Sequence, residues 1–286
     1  MRIRASAVAL TAAVWLATSA SAPALDLQLQ GKTALVTGST SNIGYAIAAG
    51  LLREGAQVII NARSPDAVQR AAASLKASTG HEPLRFVGDM SKPEDIVRLT
   101  RTFPNVDILV NNVSDFDAKP FEKSTDQDWL DTFNLNVMSG VRLSRAYLPG
   151  MRQRNWGRII FISSESALQI PVESIHYGMT KAAEIAVARG LAETLAGTGV
   201  TVNSVLPGPT RDPADPRFAQ MAQRLGSTPE ALEQQFFQTR RPTSLIKRFE
   251  RPEEVAALVV YVASPLSSGT TGAALRVEGG VVKSAF

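Results

Sequence analysis

The sequence contains no cysteine, and its two histidines, His81 and His176, lie far apart in the chain. Disulfide bonds and thiol catalysis are therefore excluded, and a metal site built from His and Cys ligands is not expected. The basic residues form no contiguous run interleaved with aromatic side chains, which argues against nucleic-acid binding. The 286 residues are 44% hydrophobic and 20% charged, a composition typical of a globular protein with a sizeable core.

The first 24 residues differ in composition from the rest of the chain. Arg2 and Arg4 precede an apolar run of Ala, Val, Leu and Trp, and small-residue Ala-x-Ala sites follow. This order is typical of a secretory signal peptide cleaved near Ala22 or Ala24, so we expect export to a periplasmic or membrane-associated location. The alternative is an N-terminal extension on a cytoplasmic protein. The apolar run is short for a membrane span, and no twin-arginine pair is evident.

From residue 29 onward, short apolar segments alternate with segments of helix length. The apolar segments lie at 33–37, 57–61, 84–88, 107–111, 158–163, 200–206 and 274–278. Strands that alternate with helices and are apolar throughout indicate a parallel sheet covered on both faces. Because crossover connections are right-handed, we predict an α/β fold with a doubly wound parallel sheet, the Rossmann fold, in a single domain over residues 29–286.

The segment of residues 209–250 lacks a predicted strand and is rich in Pro, Arg and Gln. Within it, the run Ser227-Thr228-Pro229-Glu230 has the pattern of a capping box that opens a small extra helix. Because a long insertion after a late strand usually covers a site, we predict that this lid segment closes over the substrate. Its apolar side chains favour an apolar substrate: Phe218, Met221, Leu225, Leu232, Phe236 and Phe237. Its basic side chains are expected to form a solvated face: Arg240, Arg241, Lys247 and Arg248.

The ends of the first two predicted strands carry the features of a dinucleotide site. Residues 37–44 read TGSTSNIG, a turn in which Gly38 and Gly44 let the backbone approach a pyrophosphate at a helix N-terminus. An NAD enzyme usually places an Asp or Glu after the second strand to hold the ribose 2′-OH. The chain has no acid there and offers Arg63, whose guanidinium could hold a 2′-phosphate. The sequence therefore favours NADP(H) over NAD(H).

In the stretch HYGMTK, Tyr177 and Lys181 lie four residues apart and would share one face of a helix. Further polar motifs stand in order at or after the predicted strand ends: Asn111-Asn112, Asn136, Ser163-Ser164 and residues 203–210. Together with the glycine turn, these motifs make the chain from about residue 29 to residue 286 similar to members of the short-chain dehydrogenase/reductase family.

The resemblance implies a catalytic set and a cofactor site. The implied catalytic residues are Asn136, Ser164, Tyr177 and Lys181. The residues implied to bind the cofactor are Gly38, Ser39, Thr40, Ser41, Asn42, Ile43, Gly44, Arg63, Asp89, Met90, Asn111, Tyr177, Lys181, Pro207, Gly208 and Thr210. Two departures from the family pattern lie near the cofactor: Asn42 replaces the middle glycine of the turn, and Asn-Asn-Val-Ser replaces Asn-Asn-Ala-Gly at 111–114. Because Asn readily adopts a positive φ, we expect the turn to survive.

The chemistry of the implied reaction needs these residue types. When a carbonyl accepts a hydride at carbon, a donor must supply a proton to its oxygen. The positive charge of Lys181, one helical turn away, favours the phenolate of Tyr177, so the pair could serve in either direction. The family resemblance also implies that Ser164 polarises the substrate oxygen, that Asn136 holds a water linking the lysine to solvent, and that residues 207–210 close over the nicotinamide amide.

Two residues beside the catalytic set are assigned other roles. His176 precedes the tyrosine and would face elsewhere on a helix, so we expect it to serve packing or the surface. Glu165 follows the catalytic serine and could point into the pocket, but a solvated carboxylate is the favoured interpretation.

The resemblance implies an oxidoreductase that transfers a hydride between NADP(H) and a carbonyl/alcohol pair, with a 3-oxoacyl thioester or another apolar ketone as candidate substrates. The alternative is a non-catalytic NADP(H)-binding regulator, which would not need the complete Asn/Ser/Tyr/Lys set. Helices around residues 125–150 and 177–196 match those that pair subunits in the family, so a homodimer or homotetramer is expected. An NADPH-dependent enzyme needs a pool of reduced cofactor, which argues for the cytoplasmic alternative. The three parts of the N-terminal segment stand in the order of a signal peptide and carry more weight, so export stays the prediction.

Overall fold

A computed structural model describes residues 25–285 of the chain. The predicted signal peptide, residues 1–24, lies outside the described residues. Of the helices in the described part, none is both long enough and apolar enough to cross a membrane.

A parallel sheet forms the centre of the domain. Its strands are β1 (Thr33–Val36), β2 (Gln57–Ala62), β3 (Leu84–Val87), β4 (Ile108–Asn111), β5 (Gly157–Ile162), β6 (Val200–Pro207) and β7 (Ala274–Val277). Their order across the sheet is β3-β2-β1-β4-β5-β6-β7, and each adjacent pair is parallel. The strand order reverses between β1 and β4, so the carboxyl ends of these two strands flank the crevice where such sheets bind ligands. The predicted doubly wound α/β fold is confirmed.

Helices cover both faces of the sheet. They are α1 (Asn42–Arg53), α2 (Pro65–Thr79), α3 (Pro93–Thr102), α4 (Asp126–Phe133), α5 (Ser139–Gln153), α6 (Ile175–Glu193), α7 (Pro216–Arg224), α8 (Pro229–Thr239) and α9 (Pro252–Ala263). A π-helical turn, Asn134–Met138, joins α4 to α5. Local sequence sets several ends: at α4, Thr125 accepts a hydrogen bond from the Asp128 N–H while the Asp128 carboxylate accepts one from the Thr125 N–H.

The core lies in two layers because neighbouring residues of a strand point to opposite faces. Val36, Ile60 and Val110 are paired in register across β2, β1 and β4, are fully buried, and pack in the layer with α1, α2 and α9. The residue before each of them packs in the other layer with α3, α5 and α6. Each fully buried aliphatic side chain contributes about 1.5–3 kcal/mol, which explains why these strands read as apolar throughout.

The lid segment, residues 209–250, contains α7 and α8, so it holds two helices where the sequence indicated one. The N-cap of α8 is Thr228, whose hydroxyl accepts a hydrogen bond from the Ala231 N–H at 3.2 Å, and not Ser227 as the capping-box pattern suggested. Phe236 and Phe237 pack with Phe249, with ring centroids 4.9 and 5.2 Å away. Part of the apolar surface predicted for a substrate therefore forms a small core within the segment itself.

Candidate active site

The turn after β1 is shaped for close backbone approach. Gly38 has a φ of 62°, and a side chain at Gly44 would collide with the carbonyl oxygen of Gly38. Asn42 has a φ of 48°, so it adopts the left-handed conformation expected where the family has glycine. The turn therefore survives the substitution.

The N-terminus of α1 meets the requirements of a phosphate site. Its N-cap, Ser41, makes no side-chain capping hydrogen bond, and the first turn carries no acidic residue. The free N–H groups and the helix dipole of such a turn attract an anion. Of the remaining residues predicted to contact the cofactor here, Ser39 is buried, whereas Thr40 and Ile43 are half-buried. A pyrophosphate would fit over this turn and be held by these main-chain groups.

The second departure from the family pattern, Val113-Ser114, leaves the backbone around the turn intact. The N–H groups of Asn112 and Val113 each donate to the Thr37 hydroxyl at 3.0 Å. The Asn112 side-chain amide donates to the carbonyl oxygens of Thr37 at 2.8 Å and Gly38 at 3.1 Å. The ends of β1 and β4 are thus fastened together by groups that do not depend on the substituted side chains.

Arg63 and Asp89, predicted for the adenosine end, line a cleft of about 330 Å³ that extends from the ends of β2 and β3 to the loop after β4 and to α4. Arg63 is exposed, and among the residues of this cleft that the structure describes it is the one Lys or Arg side chain. The Asp89 carboxylate accepts hydrogen bonds from the N–H and hydroxyl of Ser91 at 2.9 and 2.7 Å. Met90 is buried in the core beside them.

The ends of β4 and β6 carry the remaining predicted cofactor residues. Asn111 is buried, and neither polar atom of its side chain has a hydrogen-bond partner within the described residues. A buried amide without partners is costly, and a ligand that hydrogen-bonds to it would remove that cost. After β6, the Gly208 N–H donates to the Val277 carbonyl oxygen at 3.0 Å and to the Glu250 carboxylate at 3.2 Å. The Thr210 hydroxyl donates to the Gly208 carbonyl oxygen at 3.0 Å.

Three of the predicted catalytic residues meet where β5 ends and α6 begins. The Ser164 hydroxyl lies close enough to Tyr177 to lower the pKa of its phenol. Lys181 places its ammonium nitrogen 5.6 Å from the centroid of the Tyr177 ring, on the same helix face. Phe116, in the loop after β4, packs edge-on against the Tyr177 ring with the centroids 5.0 Å apart. The structure therefore brings together a phenol, a hydroxyl and an ammonium.

Opposing effects act on the pKa of the Tyr177 phenol. Burial raises this pKa above its usual value, because the phenolate loses contact with water, and the positive charge of Lys181 lowers it. The negative charge of Glu184 raises this pKa further, whereas the nearby Ser164 hydroxyl lowers it. The net result is a raised pKa, so the phenol is protonated at neutral pH and can donate a proton.

Asn136 lies in the π-helical turn between α4 and α5, a type of distortion that is frequent at functional sites. Its side-chain oxygen accepts from the Asp115 N–H at 2.8 Å, and its amide donates to the Asp115 carbonyl oxygen at 3.1 Å and to the Thr180 hydroxyl at 3.0 Å. The side chain therefore fastens the loop after β4 to α6 beside the catalytic pair. The water that the family resemblance implies between Asn136 and Lys181 stays a prediction.

The expectation that Glu165 is a solvated carboxylate is wrong. Its side chain is buried, one carboxylate oxygen accepts from Nε of Arg241 at 2.8 Å, and the other has no hydrogen-bond partner within the described residues. Burial raises the pKa of Glu165, and the charge of Arg241 opposes this rise. Arg241 consequently departs from the solvated basic face predicted for the lid segment. His176 is buried with its ring centroid 6.0 Å from that of Trp129, consistent with a packing role.

The sequence interpretation also missed Glu184, whose carboxylate contacts the Lys181 ammonium in the interior. An acidic residue three positions after a lysine on a helix is a signal for such a pair. Its burial is not visible in the sequence, because most helix ion pairs of this spacing are exposed.

The fold and the residues at its strand ends define a dinucleotide-binding enzyme site, and comparison with known proteins agrees. A family model described as Enoyl-(Acyl carrier protein) reductase matches residues 38–282. The uncharacterized oxidoreductase YvaG of Bacillus subtilis is 44% identical over 266 residues, which cover 92% of this chain and 100% of that protein. D-beta-hydroxybutyrate dehydrogenase of Cupriavidus necator is 33% identical over 89% of this chain and 99% of its own length.

A solved structure gives the same result. L-sorbose reductase from Gluconobacter frateurii, in complex with NADPH and L-sorbose, matches with a TM-score of 0.83 and 33% identity over 91% of this chain and 100% of that chain. The chain belongs to the short-chain dehydrogenase/reductase family. It is an oxidoreductase that uses a nicotinamide cofactor.

Proposed function

We propose that this protein transfers a hydride between NADP(H) and a carbonyl/alcohol pair, with Tyr177, Lys181, Ser164 and Asn136 as its catalytic set. The observation that carries the proposal is the meeting of the Tyr177 phenol, the Ser164 hydroxyl and the Lys181 ammonium at one strand end. A regulator that only senses the cofactor would have no use for this arrangement. The alternative of a non-catalytic NADP(H)-binding protein is therefore the weaker one.

In the proposed reduction, the bound cofactor supplies the hydride to the carbonyl carbon. Tyr177 donates its phenolic proton to the carbonyl oxygen, which gains negative charge as the hydride arrives. Ser164 donates a hydrogen bond to the same oxygen and so stabilises that charge. Lys181 stabilises the phenolate that remains on Tyr177 until a proton returns from solvent. Asn136 keeps the loop after β4 and α6 in place around these groups.

NADP(H) is proposed over NAD(H) because of Arg63. Its side chain is exposed at the end of β2, where an NAD enzyme usually has a carboxylate. A planar guanidinium can bind a 2′-phosphate through two parallel hydrogen bonds. The L-sorbose reductase structure that this chain resembles contains NADPH, which supports the proposal.

Two substrate classes remain candidates. The apolar side chains of the lid segment support an apolar ketone or a 3-oxoacyl thioester, and 3-oxoacyl-[acyl-carrier-protein] reductase of Aquifex aeolicus is 31% identical to this chain. A polyhydroxy ketone is supported by Glu165, which follows Ser164 directly and carries a buried oxygen able to accept a hydroxyl hydrogen bond. The similarity to a reductase bound to L-sorbose supports the same class.

A substrate panel tests the proposal and separates the two classes. NADPH oxidation would be followed by absorbance with a 3-oxoacyl thioester, simple apolar ketones and L-sorbose, and D-beta-hydroxybutyrate would be tested with NADP⁺ in the reverse direction. Turnover of any of these compounds supports an enzyme. Binding of NADPH without turnover of any carbonyl or alcohol would favour the regulator instead.

Assembly and location are also proposals. We propose a homodimer or homotetramer formed through the helices of residues 125–150 and 177–196, which mass measurement in solution would test. We also propose that residues 1–24 direct export, on the strength of the charged start, apolar run and Ala-x-Ala sites. N-terminal sequencing of protein from fractionated native cells tests the second proposal: a cytoplasmic protein that retains Met1 would contradict it.

A further inference from the structure

Lys181 has a second charged partner besides the tyrosine. Glu184 lies one helical turn further along α6, and its two carboxylate oxygens accept hydrogen bonds from the lysine ammonium at 3.0 and 3.2 Å. Only 2% of each side chain is exposed, so the ion pair is enclosed by protein. A buried pair of this kind is retained only if both charges are well hydrogen-bonded, since removal of either partner leaves an uncompensated charge.

The pair fixes the position of the ammonium group. Besides Glu184, Lys181 donates a hydrogen bond to the Ile162 carbonyl oxygen at the end of β5, at 2.9 Å. A lysine ammonium has three N–H donors. The Glu184 carboxylate and the Ile162 carbonyl oxygen accept the hydrogen bonds that the ammonium donates within the protein. Together they hold the Lys181 nitrogen between α6 and β5. The ammonium nitrogen is therefore held in a fixed position, 5.6 Å from the centroid of the Tyr177 ring.

The carboxylate also changes the charge that Tyr177 experiences. Lysine alone would favour the phenolate, but the adjacent negative charge of Glu184 opposes that effect. Glu165, after β5, also acts on Tyr177 from a neighbouring element, and Arg241 lies against it. In the loop after β4, Asp115 and Asp117 flank Phe116, whose ring packs against that of Tyr177.

We infer that Glu184 is a positioning residue of the active site: it holds the Lys181 ammonium against β5 and offsets part of the positive charge that this lysine presents to Tyr177. The inference rests on the proposed catalytic role of Tyr177. Its consequence concerns direction, because carbonyl reduction needs the protonated phenol and alcohol oxidation needs the phenolate. The reduction reaction should retain its rate into the alkaline range, and oxidation should require a higher pH than lysine alone would set.

The direction of change on removing Glu184 does not depend on which partner titrates first. Tyr177 and Lys181 form a coupled pair, whose first proton loss belongs to the pair as a whole. Loss of a nearby negative charge makes proton release easier from either group. The first proton loss of the pair should therefore occur at lower pH in Glu184→Gln, whether the phenol or the ammonium releases the proton.

The pH profile of kcat/KM for NADPH-dependent reduction tests this inference. In Glu184→Gln the alkaline limb should move to lower pH by about one unit or more. Glu184→Leu, which fills similar space without charge, should show the same shift, whereas Glu184→Asp should stay close to wild type. The matched control is Glu193→Gln, which removes an exposed carboxylate on the same helix and should leave the profile unchanged. An unchanged profile in a folded Glu184→Gln protein would overturn the inference.

A measurement without substrate separates this inference from the proposed function. Tyrosinate absorbance is measured against pH in wild type and in Glu184→Gln. The same titration is made for each protein with Tyr177→Phe added, and subtracting it leaves the signal of Tyr177 alone. In the variant the phenol should ionise at lower pH than in wild type, because a nearby negative charge has been removed. Equal transitions in the two proteins would refute the inference, and Glu184→Leu supplies the same comparison if Glu184→Gln does not fold. Absence of turnover with every carbonyl compound would refute the proposed function alone.

Discussion

The guanidinium of Arg241 lies against the carboxylate of Glu165, with 2.8 Å between Nε and Oε1, although the two residues are 76 positions apart. Arg241 follows α8 in the lid segment, and Glu165 directly follows Ser164. Both side chains are largely shielded, at 14% and 3% exposure. The ion pair therefore connects the predicted lid to the segment that carries the proposed catalytic serine.

Replacement of Arg241 should disturb both stability and catalysis. Arg241→Ala would leave the Glu165 carboxylate buried without its partner, at a cost of about 3 kcal/mol in the free energy of unfolding. It should also reduce kcat/KM, because the carboxylate would protonate or move from its place beside Ser164. Urea unfolding and steady-state kinetics check both effects. The matched control is Arg240→Ala, since Arg240 is exposed and lies 3.5 Å from Glu173; equal effects of the two substitutions would contradict the role given to the buried pair.

Replacement of Tyr177 should remove the proton donor and leave cofactor binding largely intact. Tyr177→Phe keeps the ring that packs against Phe116 but deletes the hydroxyl. We expect kcat to fall by roughly 10²–10⁴-fold, the usual contribution of a general acid. Tyr261→Phe, at an exposed tyrosine of α9, is the control. Steady-state kinetics and NADPH titration would measure the effects, and near wild-type turnover by Tyr177→Phe would rule out the catalytic assignment.

Replacement of the residues that end β2 should alter the choice of cofactor. The double change Ala62→Asp and Arg63→Ser supplies the missing acid and removes the cation. Preference should move from NADPH toward NADH by about tenfold or more, since the acid can hold a 2′-OH and repels a 2′-phosphate. Kd values for both cofactors check this, with Arg70→Ser on the exposed face of α2 as the control. If the wild-type protein already binds NADH more tightly, the assignment of Arg63 is wrong.

The parts of the fold that could be predicted are those set by local patterns. The strands were found because their residues are buried on both faces and therefore read as unbroken apolar runs, as at Leu35 and Val36 in β1. The conformation of Asn42 followed from its own steric preference for positive φ. The spacing of Tyr177 and Lys181 placed them on one helix face.

The parts that could not be predicted depend on distant contacts. Glu165 is an acidic residue, a type that usually lies at the surface. Its buried carboxylate pairs with Arg241, which is far away in the chain. Glu184 looks like half of an ordinary exposed helix pair until the packing of α6 against β5 encloses it. The π-helical turn around Asn136 changes the helical period by one residue and leaves no trace in the hydrophobic pattern.

Glu250 provides a pH-dependent contribution to stability near the proposed nicotinamide end of the site. Burial raises the pKa of this carboxyl to about 7, and the hydrogen bond from the Gly208 N–H offsets only part of that rise. Because the folded protein binds this proton more tightly than the unfolded chain, the contribution is complete below the ordinary pKa of 4.5 and is lost as the pH rises through about 7.

Replacement of Glu250 by Gln should remove its share of this pH dependence. Between about pH 5 and about pH 8, the free energy of unfolding of the wild type should fall by on the order of 2 kcal/mol more than that of Glu250→Gln. Urea unfolding across that range measures the difference, and Glu253→Gln, at an exposed position of α9, should behave as wild type. Parallel pH profiles for wild type and Glu250→Gln would show that Glu250 titrates in the folded protein as it does in the unfolded chain.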